Sequence, residues 1–231
     1  MINYIKKFNI FIIALVILLT SSIPAYPILN QLQGRDHDYE NTFSYLSKGP
    51  ELTSDGELLV LGDSFGFLFC EYVERGVNYV VHQGYTVEKI YNEFLPLVEG
   101  NKYKYCFLMI GPNDFMKQTE VSAFKSIVQL IVNDLKSKGM QVIVTDYCDP
   151  DYNSNMTYSL SHYPLKCWQY DSAIKDVKRY NDLLYVEMRD LLNLYGRLPM
   201  DPVHPDKALY NPLLERVEKI IENDKILRGI N

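Results

Sequence analysis

The chain has 231 residues, 47% of them hydrophobic and 23% charged, with a formal net charge of −6. That length buries one sizeable core, so a second domain is not expected, and 12 Gly and 11 Pro give no sign of long disorder. The acidic balance, and the lack of a basic stripe with interleaved aromatics, argue against nucleic acid as a partner.

The N-terminus differs from the rest. Lys6 and Lys7 precede an apolar run from Ile10 to Leu19, and no charge occurs between Phe8 and Gly34. The run is shorter than the roughly 20 residues of a spanning helix and resembles the apolar region of a signal peptide. Its uncharged continuation, Thr20 to Asn30, is long enough to extend it across a bilayer. Cleavage after Ala25 is disfavoured by Ile23, and no Cys follows closely enough for a lipoprotein anchor. Residues 1–30 are therefore expected to export the chain, as a membrane anchor or a cleaved signal, with the leading lysines placing the remainder outside the cytoplasm. Residues 31–56, punctuated by Gly34, Gly49-Pro50 and Ser54-Asp55-Gly56, read as a linker. The folded domain spans 57–231.

From there strands and helices alternate. Leu58–Gly62 is a short apolar strand, followed by a helix from about Phe65 to Arg75. Val77–Val81 is a second strand and Val87–Val98 a second helix. Tyr105–Ile110 is the third strand, ending at Gly111. The next helix has the clearest period, with Phe124, Ile127, Val128, Ile131 and Leu135 on one face. Gln141–Tyr147 is a fourth strand, and a polar, Asn-rich loop runs from Asp149 to about His162. A helix near Ser172–Tyr180 leads to a fifth strand, Leu184–Met188. The last helix is expected to begin around Pro205, a residue suited to a first turn, with Leu209, Leu213, Val217, Ile220 and Ile221 on one face. This alternation predicts a five-stranded parallel sheet covered by helices on both faces. Function in such sheets collects at the carboxyl ends of the strands, where Ser64, Gly84 and Asn113 fall.

Those residues have the chemistry of acyl transfer. Ser64 follows a strand and opens a helix, so its N–H lies where donors are free. A serine hydroxyl is a weak nucleophile without a base. His204 is the leading base among four histidines, and Asp201, three residues earlier, can orient its imidazole. His82, at the end of the second strand, is the second choice. The Asn113 side-chain amide, the Gly84 N–H and the Ser64 N–H are candidate oxyanion donors. Asp114 suits a loop-fixing acceptor better than a second catalytic carboxylate. Taken singly, Gly-x-Ser, Gly-Pro-Asn-Asp and Asp-Pro-x-His are ordinary caps and turns. Their order, at the ends of successive strands, is what points to a site.

With these four blocks (Gly62-Asp63-Ser64, Gly84, Gly111-x-Asn113-Asp114 and Asp201-x-x-His204) the chain resembles the SGNH subgroup of the GDSL esterase/lipase family, over about residues 57–210. The resemblance implies a flavodoxin-like three-layer α/β/α fold and ester hydrolysis or acyl transfer that needs no metal or other cofactor. It also implies Ser64 as nucleophile, His204 as base, Asp201 as its orienter, and Gly84 and Asn113 as oxyanion donors. Phe65 stands where the family has Leu, and His82-Gln83 replaces an asparagine before Gly84. A serine esterase acting on O-acetyl groups of cell-surface carbohydrate is the expected function. Acetyl transfer to a glycan by the same residues, and a non-catalytic surface-binding module, are the alternatives.

Other readings are weaker. Gly62-Asp63-Ser64-Phe65-Gly66 also fits the nucleophile elbow of α/β-hydrolases. That fold, however, needs strands before the elbow, and its Asp and His stand much further apart. Asp149-x-Asp151-x-Asn153-x-Asn155 lacks the Gly and Glu of a calcium loop, with Ser154 and Leu160 in their places. Cys106 reads as a small buried hydrophobe. Cys148 and Cys167 are the pair to test for a disulfide, and without a CxxC neither zinc nor thioredoxin chemistry has support. Asn155-Met156-Thr157 is a glycosylation sequon. Phe65, Tyr85, Phe115, Tyr147 and Trp168 flank the motif loops, where packing is expected first and stacking on sugars second.

Overall fold

The computed structural model describes residues 56–146, 163–195, 197–198 and 201–230. The N-terminal segment 1–30, nearly all of the linker, Cys148, the Asn-rich loop and the sequon lie outside the described residues, as do the side chains of Cys167 and Asp201. Among the described residues no helix is long and apolar enough to cross a membrane.

Five strands, β1 (Leu58–Gly62), β2 (Asn78–Val81), β3 (Tyr105–Met109), β4 (Gln141–Thr145) and β5 (Leu184–Val186), form a parallel sheet in the order β2-β1-β3-β4-β5. That order is flavodoxin-like, and its switch point lies at the carboxyl ends of β1 and β3. The strands are largely apolar because both faces are covered, with polar Asn78, Gln141 and Thr145 at strand ends, and the two-residue period divides the sheet between two cores. Leu58 and Val60 of β1 join Tyr105, Phe107 and Met109 of β3 on one face. Leu59, Leu61, Cys106 and Leu108 lie on the other.

The first face is covered by α1 (Ser64–Tyr72), α6 (Arg189–Tyr195) and α7 (Tyr210–Arg228). Leu213, Val217 and Ile221 recur on α7 at helical spacing and are buried, and Ile220 packs partly buried beside them. The second face is covered by α2 (Val87–Lys89), α4 (Val121–Ser137) and α5 (Tyr163–Asn181). Phe124, Val128, Ile131 and Leu135 of α4 are fully buried, as their periodicity predicts. The three-layer architecture is thus the expected one. Cys106 is buried and free, as expected of a small core residue.

Several boundaries differ from the expectations. After α2 the chain continues as a π-helical segment (Ile90–Phe94) and a 3-10 turn (Leu95–Leu97). Pro96 has no N–H to offer the Asn92 carbonyl, so a regular helix cannot run on to Val98. α5 begins at Tyr163, nine residues before the expected Ser172, because Pro164 falls in its first turn, where no N–H is needed. Four elements went unexpected: α3 (Pro112–Met116), α6, and an antiparallel pair β6 (Arg197–Leu198) and β7 (Asp201–Pro205). Pro205 therefore ends a strand and does not open the last helix. Asp206 supplies the start signal, its carboxylate accepting the Ala208 N–H at 2.9 Å in a 3-10 turn (Lys207–Leu209) that leads into α7.

Candidate active site

The turn from β1 into α1 is built for close approach. A Cβ at Gly62 would lie 2.3 Å from the Met109 carbonyl oxygen, and that same oxygen accepts the Asp63 N–H at 3.0 Å. Only glycine lets β1 and β3 meet here. Asp63 then caps α1, its Oδ1 accepting the Phe65 N–H at 2.9 Å. Ser64 is thereby fixed as the first residue of the helix, 7% exposed, with an N–H that has no partner within the helix.

Ser64 Oγ lies 2.9 Å from His204 Nε2, across 140 residues of sequence. A neutral imidazole with its proton on Nδ1 accepts the serine hydroxyl proton at Nε2, which is the geometry of a general base on a nucleophile. β7 carries His204 to this position. The Phe65 ring, 2% exposed, sits 5.4 Å from the imidazole, so this side chain packs against His204. Asp201 stands in the same strand, three residues before His204.

Asn113 comes from the third signature. Gly111, at φ +122°, turns the chain from β3 into α3, a backbone angle that favours glycine. Asn113 is 9% exposed, and no hydrogen bond of ordinary geometry occupies its Nδ2. The amide lies near the Asp63 carboxyl, and a side-chain amide N–H is also the kind of donor that a developing oxyanion takes. The neighbouring Asp114 is a loop-fixing residue, as expected. Its Oδ2 accepts the Val87 N–H at 2.9 Å, tying the third signature to the start of α2.

Gly84, from the second signature, lies on the β2–α2 loop at φ +78°, where an added Cβ would meet nothing within 4 Å. The glycine is there for its backbone angle, not for space. Lys117 Nζ donates to the Gly84 carbonyl at 2.7 Å. His82, the second choice as base, is not the imidazole on the serine. Its Nδ1 faces the Gln83 carbonyl, and its ring stacks on Tyr85.

Two carboxyls are buried beneath these loops. Burial pushes Asp63 up to about 7, against the Phe65 N–H and the nearby Asn113 amide, which draw it down. Burial likewise pushes Asp114 up to about 6, opposed by the Val87 N–H and the Thr119 side chain.

Of the aromatic residues flanking the motifs, Phe65 is buried, Tyr85 is stacked with His82 and Phe94, and Phe115 packs edge-on against Tyr170. Trp168 is 58% exposed, and Tyr147 lies outside the described residues. Among the described residues no group of His, Cys, Asp or Glu side chains could hold a metal ion.

The five-stranded parallel sheet with helices on both faces is the fold seen in solved GDSL-type hydrolases. No family model and no curated protein matches the sequence. Solved structures do match the fold. A GDSL-like lipase from Bacteroides thetaiotaomicron superposes with a TM-score of 0.60 at 15% identity, over 75% of this chain and 92% of that one. A putative acylhydrolase from Bacteroides fragilis gives 0.60 at 16% identity, over 82% and 97% of the two chains. An acetylxylan esterase from Geobacillus stearothermophilus gives 0.52 at 18% identity, over 71% and 93%.

Proposed function

We propose that this chain is a serine hydrolase of carboxylic esters. The observation that carries the reading is the 2.9 Å contact between Ser64 Oγ and His204 Nε2 at the carboxyl end of β1. His204 takes the hydroxyl proton as Ser64 Oγ attacks the ester carbonyl, forming a tetrahedral intermediate. The negative oxygen is held by the Ser64 N–H, the Gly84 N–H and Asn113 Nδ2. The intermediate collapses to an acyl-serine, and the alcohol leaves with the proton from the imidazolium. Water, deprotonated by His204, then releases the acid. Asp201 is assigned the part of holding the imidazole tautomer and stabilising its cation.

For the substrate we infer an O-acetyl ester on carbohydrate. In support, a structure of the same fold is named an acetylxylan esterase. An extracytoplasmic enzyme tethered by, or released from, residues 1–30 fits that substrate, because surface glycans lie there. Fractionation would test the placement: the chain found in the cytosol with an intact N-terminus would refute it.

The test of the reaction is hydrolysis of 4-nitrophenyl acetate by the full chain and by Ser64→Ala. The reading requires the variant to lose at least about a thousandfold in kcat, as triad serines do. Equal rates would overturn it.

A further inference from the structure

The Gly84 N–H belongs to the Gln83–Gly84 peptide, and the structure shows what holds that peptide. His82 Nδ1 lies 2.5 Å from the Gln83 carbonyl oxygen. A carbonyl only accepts, so the imidazole carries a proton on Nδ1 and donates it. The imidazole is fixed in turn. The His82 backbone N–H donates to the Gly62 carbonyl at 3.2 Å, directly before the Asp63-Ser64 turn. Its ring stacks on Tyr85 with centroids 4.1 Å apart, and Tyr85 stacks on Phe94 at 4.8 Å. The following peptide is gripped separately, by Lys117 Nζ on the Gly84 carbonyl at 2.7 Å.

We propose that His82 is a positioning residue of the oxyanion site, which sets the plane of the Gln83–Gly84 peptide and strengthens its N–H as a donor. The inference rests on the esterase reading of Ser64 and His204. A peptide whose C=O accepts a hydrogen bond is polarised, and its N–H donates more strongly. A donor fixed before the reaction needs no reorganisation when charge develops on the substrate oxygen. His82 exchanges no proton with the substrate, and its Nδ1–H stays in place through the cycle.

Two measurements on the full-length protein test this. Nitrogen-15 spectra of the neutral histidines should show His82 protonated on Nδ1, and an Nε2-protonated His82 would overturn the inference. Kinetics on 4-nitrophenyl acetate supply the second reading. His82→Phe keeps a ring against Tyr85 but donates nothing, and should lower kcat about tenfold with KM nearly unchanged, a fraction of the loss on removing a whole oxyanion donor. His82→Asn restores an N–H donor and should recover most of that kcat. If the ring mattered only for packing the order would reverse, with His82→Phe like the wild type and His82→Asn impaired, and that result would overturn the inference. A wild-type chain no faster than Ser64→Ala would bring down the esterase reading and this inference with it. A Ser64-dependent enzyme that His82→Phe leaves unchanged would refute this inference alone.

Discussion

Asp114 Oδ2 accepts the Val87 N–H at 2.9 Å, joining the helix that carries Asn113 to the element that follows Gly84. Two candidate oxyanion donors, from separate crossovers of the sheet, are thereby held at one spacing. Asp114→Ala leaves the buried Val87 N–H without its acceptor, which costs about 1–3 kcal/mol. Asp114→Asn keeps an acceptor oxygen and should lose less. At pH 5, where burial keeps the Asp114 carboxyl protonated, urea unfolding should rank both wild type and Asn above Ala, and kcat should fall in the order wild type, Asn, Ala. An alanine variant as active as the wild type would show that the tie does not position the site.

The two buried carboxyls make stability depend on pH. Asp63 rises from 3.8 to about 7 and Asp114 from 3.8 to about 6, with burial the largest cause in each. Between the unfolded and folded values the native state holds more protons than the unfolded chain, so stability falls as pH rises from about 4 to about 7. For Asp63 three units correspond to about 4 kcal/mol. Asp63→Asn retains an oxygen for the Phe65 N–H and removes the charge. Unfolding midpoints measured at pH 5 and pH 8 should differ less in this variant than in the wild type. An unchanged difference would refute the assignment of the slope to Asp63.

Gly62 and Gly84 fail in different ways when replaced. Gly62→Ala puts a Cβ 2.3 Å from the Met109 carbonyl oxygen in the middle of the sheet, and should cost about 3 kcal/mol or more. Gly84→Ala meets nothing within 4 Å but must hold φ at +78°, a strain of about 1–2 kcal/mol. Thermal melts should show a large loss for the first and a small one for the second. Ester hydrolysis should show Gly84→Ala losing kcat out of proportion to its stability. A Gly84→Ala variant with full kcat would remove this N–H from the oxyanion site.

The sheet and its site were legible in the sequence to an uneven degree. The continuous apolar strands, the period of Phe124, Val128, Ile131 and Leu135, and the placement of Ser64, Gly84 and Asn113 at strand ends all follow from local pattern. What the pattern hid lies in non-local terms. Asp201–Pro205 reads as a helix-start turn until Arg197–Leu198 pairs with it. α5 opens on a stretch with no clear apolar stripe, so its first turns show no helical period, and only further on do Tyr170 and Ala173 join the core. The short α3 was hidden because Gly-Pro-Asn-Asp suits a turn equally well. The grip of His82 on the Gln83 carbonyl involves neighbours in sequence, yet a motif reading looks for histidine as a base and passes over it as a donor.

The proposed chemistry depends most directly on Ser64 being a nucleophile activated by His204. Incubating the full chain with a fluorophosphonate and mapping the adduct by peptide mass spectrometry tests that pairing without any choice of natural substrate. One phosphonyl group on Ser64 is predicted, formed at least about a hundredfold more slowly in His204→Ala, in line with the 10²–10⁴-fold worth of a positioned base. Labelling at another residue, or an equal rate in His204→Ala, would contradict it.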